Sequence, residues 1–92
     1  MAVKPRAYRL GREHIGFYCP GCRCHHSVRI RHQPGSPLWT WNGRLDLPTF
    51  SPSILIESKP RCHSFVTDGR IRFLVDCGHH LSGETVDIPE DT

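Results

Sequence analysis

Polar and apolar residues alternate from Arg70 to Phe73, and Asp68-Gly69 separates that run from Cys62–Thr67. A period of two marks a half-buried strand, and Asp-Gly accepts the positive φ angles of a type I′ turn, so this stretch predicts a β-hairpin. Across that turn Thr67 would pair with Arg70, Phe65 with Arg72 and Cys62 with Val75. Opposed residues share a sheet face and alternate residues return to it. One face would then carry Cys62, Ser64, Val66, Ile71, Phe73, Val75, Cys77 and His79. The other would carry His63 and Phe65, with Asp76 beyond Leu74.

Weaker patterns surround this hairpin. Residues 1–12 are basic and predict either a flexible arm or an edge strand. Glu13–Tyr18 reads as a strand entering Cys19-Pro20-Gly21-Cys22, and His26–Arg31 alternates, with Val28 and Ile30 on one face and Arg29 and Arg31 on the other. Together they predict a knuckle hairpin. Asn42-Gly43 predicts a further hairpin across Leu38–Leu47, with Leu38, Thr40, Leu45 and Leu47 on one face and Trp39, Trp41, Arg44 and Asp46 on the other. Pro48-Thr49-Phe50-Ser51-Pro52-Ser53 reads as irregular, because neither proline can donate to a ladder. Ile54-Leu55-Ile56 is the most apolar run and predicts a central strand; a short last strand is expected around Val86 and Ile88, before a frayed tail at 90–92. The expected fold is all-β, one small hairpin-rich domain over 1–92, with its β core at 13–89.

Composition sharpens that picture in two ways. Eight prolines and eight glycines among 92 residues cut the chain into short segments, which suits strands and turns better than long helices. Seven histidines and five cysteines are the other departure. No apolar run approaches the ~18–20 residues of a membrane span, and the start lacks the apolar stretch of a secretory signal. These features predict a cytoplasmic protein, where disulfides rarely persist. Five cysteines in such a chain are better explained by a metal, and so small a core benefits from a staple.

Cys19-x2-Cys22 carries the strongest chemical signal. Two thiolates at that spacing, with Pro-Gly between, can meet one tetrahedral ion. A redox pair would instead open a helix in a βαβ setting, which the following β pattern opposes. Zinc is the expected cofactor, held by Cys19, Cys22, Cys62 and His79, with Cys77 and His26 as alternates. Cys62 and Cys77 would be diagonal neighbours, roughly 7–8 Å apart at Cα. His63 and Asp76 on the opposite face, with Ser64 next to His63 in the chain, are the candidate catalytic groups, and a His63–Asp76 pair could either orient a ring for proton transfer or close a structural hydrogen bond.

The ordered motifs Phe17-Tyr18-Cys19-Pro20-Gly21-Cys22, Trp41-Asn42-Gly43, Pro48–Ser53, Cys62-His63-Ser64-Phe65, Asp68-Gly69, Asp76-Cys77-x-His79 and Gly83-x-Thr85-Val86 resemble a family of small phage and prophage proteins, often labelled ammonia monooxygenase. The resemblance spans roughly residues 14–89. It implies a phage or prophage origin, action in the cytoplasm of a bacterial host cell and a bound zinc. Cys19, Cys22, His26, Cys62, His63 and His79 match its signature positions, whereas Cys24 and His80 do not. The oxygenase label fits neither the available metal ligands nor the absence of apolar spans.

The net charge of +3 divides into +6 over residues 1–32 and −3 over 33–92, and ten of the twelve basic residues are arginine. The leading functional reading is a non-enzymatic, zinc-stabilised binding module that engages a host or phage macromolecule, in counter-defence or host takeover. A protein partner is expected ahead of nucleic acid, with Arg29 and Arg31 as contact residues. The alternatives are a zinc-dependent hydrolase using His63 and Asp76 for proton transfer, and a nucleic-acid binder acting through the basic N-terminal third.

Overall fold

A computed structural model of the chain describes residues 4–31, 34–35 and 37–91. They contain eight strands and, among the described residues, no helix. The strands form two antiparallel sheets, one ordered β1-β2-β3 and the other β4-β5-β6-β7-β8. The domain is all-β, as the alternation and the proline and glycine density predict.

The three-stranded sheet is the knuckle with an edge strand added. β1 (Ala7–Leu10), β2 (His14–Cys19) and β3 (Cys24–Arg29) pair in simple succession. Of the stretch expected to be an arm or an edge strand, Ala7–Leu10 form an edge strand, and residues 1–3 lie outside the described residues. Alternation points Ile15, Phe17, Cys19 and Val28 inward, all at most 1% exposed. Tyr8 lies outside and covers Gly16, where an added Cβ would meet its ring at 2.4 Å, so a larger residue would have to push the ring aside.

The five-stranded sheet holds β4 (Thr40–Trp41), β5 (Phe50–Ile56), β6 (Cys62–Thr67), β7 (Arg70–Phe73) and β8 (Thr85–Asp87). β6 and β7 form the expected hairpin, with Phe65 opposite Arg72 and Thr67 opposite Arg70. Asp68 and Gly69 take φ angles of 50° and 75°, as a type I′ turn requires. Ile54, Val66, Ile71 and Phe73 line its inner face, and Phe17 stacks on Phe50 at 5.9 Å to join the two sheets in one core.

Three details depart from the alternation pattern. The ladder ends at Phe73, and Leu74–Cys77 close a turn through a Cys77 N–H bond to the Leu74 carbonyl, so Val75 points outward at 86% exposure. Cys62 therefore does not pair with Val75. The Leu38–Leu47 hairpin does not form either. The Asn42 side chain accepts from the Arg44 and Thr49 amides and donates to the Leu47 carbonyl, building a loop that sends Trp41 to pair with Phe50.

The third departure is Pro48–Ser53, which is not wholly irregular: Phe50 to Ser53 belong to β5. Pro52 is tolerated because the β5–β6 register shifts between Phe50–Val66 and Ile54–Ser64. At the chain end, the Asp91 amide donates to the Pro5 carbonyl, which ties that residue to the N-terminal strand region. Thr92 lies outside the described residues.

Candidate active site and metal centre

Because β6 alternates, Cys62, Ser64 and Val66 face the core while His63 and Phe65 face outward. Each face of this one strand meets a different cluster.

On the inner face, Cys62 approaches the knuckle, its Sγ 3.9 Å from Cys19 Sγ. The Cys22 amide donates to Cys19 Sγ at 3.3 Å, the bond that a tight turn between two cysteines allows. Ligand atoms of Cys19, Cys22, His26 and Cys62 all lie within 4.8 Å of one another. A second group shares Cys62 and adds Cys77 and His79. Two observations test whether this set suits a metal. His26 Nε2 and His79 Nε2 are both buried without a hydrogen-bond partner, a costly state for an imidazole nitrogen unless something accepts its lone pair. The thiols are also poised: a hydrogen bond from Cys62 pulls the Cys19 thiol down to about 4, against the opposing effect of burial. Burial and the Cys19 charge push Cys22 up to about 11, and Cys62, acting as the donor to Cys19, is raised as well. Three sulfurs and an imidazole fit a borderline-soft divalent ion. The clusters can hold a metal.

The expected ligands therefore divide. Cys19, Cys22 and Cys62 come together with the alternate His26, on the inward-leaning side of β3, while His79 falls in the second group with Cys62 and Cys77. His79 packs its ring edge-on to Phe73 at 4.5 Å and covers Gly21, where a Cβ would meet the ring at 2.3 Å. Cys77 Sγ accepts from the His63 amide at 3.2 Å and lies equally close to the His63 carbonyl. It fastens the backbone of His63 from behind.

On the outer face, His63 Nδ1 is 3.2 Å from Asp76 Oδ2, the pairing that the sequence suggests. His63 Nε2 is 3.2 Å from the Ser53 hydroxyl. The chain of contacts is Ser–His–Asp. Ser53 reaches the ring through the β5 register shift: Leu55 lies opposite His63, Ile54 points inward, and Ser53 shares the outward parity of Leu55. The Trp39 indole donates to the Ser53 carbonyl at 3.3 Å and steadies the shifted segment. Asp76 Oδ2 also accepts from Arg61 Nε at 3.1 Å. Partial desolvation pushes the Asp76 carboxyl up, but bonds from His63, its own amide and Arg61 outweigh it and hold the group below its ordinary range. A proton on Nδ1, facing the Asp76 carboxylate, would turn the Nε2 lone pair toward Ser53.

Ser64, by contrast, is 1% exposed on the inner face of β6 and cannot meet the outward His63. Arg29, one of the two expected contact residues, is ion-paired with Glu13 at 2.6 Å. Cys24 is exposed and stands apart from both metal-ligand groups, as its place beside Cys22 suggests. Ser53 escaped the sequence reading because it follows Pro52, in a stretch whose prolines hide the strand.

The fold and site define a small all-β domain with a buried Cys/His cluster behind an outward Ser–His–Asp arrangement. A family model described as "Bacterial ubiquitination-like system serine protease (BubE)" matches residues 2–74, and the chain belongs to that family. Ser53 and His63 fall inside the matched segment, and Asp76 lies just beyond it. Comparison with curated proteins and with solved structures returned no match. No helix among the described residues is long and apolar enough to cross a membrane.

Proposed function

We propose that this chain is a serine peptidase in which Ser53 is the nucleophile, His63 the general base and Asp76 the group that orients and charges the base. The observation that carries the reading is the continuous contact Ser53 Oγ–His63 Nε2 and His63 Nδ1–Asp76, with each step at 3.2 Å. That distance is the outer edge of hydrogen-bond reach for a nucleophile–base pair without substrate. Ser53 Oγ attacks the carbonyl carbon of the scissile bond as its proton passes to His63 Nε2. The tetrahedral species collapses, and His63 returns that proton to the departing amine. Water then attacks the acyl-Ser53 ester, again losing a proton to His63, which restores the Ser53 hydroxyl as the acid leaves. The family description supports a substrate drawn from a bacterial ubiquitination-like system.

The inner cluster fits a structural zinc held by Cys19, Cys22, His26 and Cys62, since four protein donors leave no position for a reacting water. When bound, the ion supplies ligation energy to a fold with a small core. The chemistry then rests with Ser53, which favours this reading over both the metal-activated hydrolase and the non-enzymatic binding module.

A fluorophosphonate probe tests the nucleophile without knowledge of the substrate. The wild-type chain should label at Ser53, located by mass spectrometry, and Ser53→Ala should abolish labelling while keeping the wild-type circular dichroism and metal content. Labelling that persists in Ser53→Ala, or a folded, metal-replete wild type that does not label, would overturn the assignment.

A further inference from the structure

The outer face of the five-stranded sheet does not end at the triad. A surface cavity of about 550 Å³ has His63, Asp76, Val75 and Arg72 in its wall. A second cavity, of about 510 Å³, continues along β6 past Phe65 to the Asp68-Gly69 turn. The two share Arg72 and Thr85. They lie side by side on the outer face of the sheet, and we take them together as one groove leading away from the triad.

The groove pairs exposed apolar surface with one unmatched cation. Phe65 is 40% exposed and Val75 86%, so both offer apolar surface to a ligand on this face. Arg70, at the far end, is ion-paired with Asp87 at 3.3 Å, and Asp68 closes the groove at the turn. Arg72 makes no ion pair among the described residues; its guanidinium lies 5.4 Å from the Phe65 ring centre, leaving its donors directed to solvent. Phe65 follows His63 by two residues, a spacing of roughly 7 Å along a strand, and Arg72 is its cross-strand partner. An extended peptide advances ~3.3 Å per residue. A side chain reaching Arg72 would therefore stand two to three residues from the bond at Ser53.

We infer that this groove holds the substrate as an extended segment and that Arg72 selects a side-chain carboxylate, Asp or Glu, two to three residues from the scissile bond, beside an apolar residue resting on Phe65 and Val75. This names a substrate class for the proposed peptidase and rests on that reading. A guanidinium already held against an aromatic ring loses little freedom on pairing with a carboxylate, and the adjoining apolar wall partly desolvates the pair.

The test uses the full-length, metal-loaded chain and a set of fluorogenic peptides in which a single Glu, Gln or Lys is moved through positions on either side of the cut. The Glu peptide should show a kcat/KM about three- to tenfold above its Gln counterpart at one position two to three residues from the cut, the range of a partly exposed charge pair. Arg72→Glu should invert the preference at that position toward Lys. Fluorophosphonate labelling of wild-type Ser53 separates the two claims. A chain that labels but cuts Glu, Gln and Lys peptides equally, with Arg72→Glu indifferent, overturns the groove and leaves the triad standing. A folded chain that neither labels nor cuts overturns both.

Discussion

The carboxylate of the triad is held differently from a deeply buried one, and Asp76→Asn exposes the difference. In an enclosed triad the amide can turn its NH2 toward the histidine, which inverts the tautomer and costs ~10⁴-fold. Here Asp76 Oδ2 is shared between two donors, His63 Nδ1 at 3.2 Å and Arg61 Nε at 3.1 Å. An asparagine at this position meets two donors on one side, so it turns its carbonyl oxygen toward them. The tautomer survives, and the loss is confined to the negative charge that steadies the imidazolium. Asp76 is 41% exposed, so water replaces part of that charge. The expected cost is ~10²-fold in the rate of fluorophosphonate labelling, the lower end of what a positioned base contributes. Removing the second donor removes the orientation: in an Arg61→Ala background Asp76→Asn should cost another ~10-fold or more, moving toward the enclosed case. Arg61→Ala alone should change the rate only a few-fold. The measurement is the second-order labelling constant of the four proteins at one pH, with circular dichroism confirming that each is folded. Equal costs of Asp76→Asn with and without Arg61 would refute the argument from shared donors, and no cost in either background would remove Asp76 from the site.

The remaining expectations concern the inner cluster and the core. Elemental analysis should give about one zinc per chain, and chelation should unfold the domain; a fully folded metal-free chain would contradict this. His26→Ala should weaken zinc binding by more than the roughly 10–100-fold that loss of an outer-sphere partner costs, whereas His79→Ala should lower thermal stability through lost packing on Phe73 and keep the stoichiometry. With Cys22 and Cys62 raised and Cys19 lowered, zinc binding near neutral pH should expel about two protons, so affinity should fall as the medium is acidified; calorimetry in buffers of different ionisation enthalpy counts them. Phe17→Ala removes a fully buried ring stacked on Phe50 and should cost about 3–5 kcal/mol. That is a large part of the ~5–15 kcal/mol a domain has; urea denaturation of the metal-loaded protein measures it.

What could be read in advance follows from where local rules govern. The β6–β7 hairpin has an Asp-Gly turn between two short runs, so pairing, turn conformation and the opposite facing of Cys62 and His63 all follow from counting residues outward from the turn. Cys19, Cys22 and Cys62 were recognisable by type and spacing. The division of the remaining donors into two groups that share Cys62, one with His26 and one with Cys77 and His79, was not, because the chain turns after Leu74 and strand parity does not reach Cys77 and His79. The Trp41-Asn42-Gly43 turn misled for a related reason: the Asn42 side chain bonds three backbone groups and builds a loop that the dipeptide alone does not reveal. Ser53 is the instructive omission. Its meeting with His63 depends on a register shift beside Pro52, a tertiary adjustment that leaves no periodic trace.

Cys62 and His63 are consecutive, and a strand sends consecutive side chains to opposite sides. This makes the chain's tolerance of length changes strongly asymmetric. Deleting or inserting one residue between Cys62 and Thr67 would exchange the two faces wholesale over the displaced part of β6, turning apolar groups to solvent and outward groups to the core. The same change in the Asn42–Thr49 loop would leave β6 untouched. Substitutions can tune the outer face of this strand one position at a time, but its length is a single shared parameter on which the Cys/His cluster and the Ser53–His63–Asp76 arrangement stand or fall together.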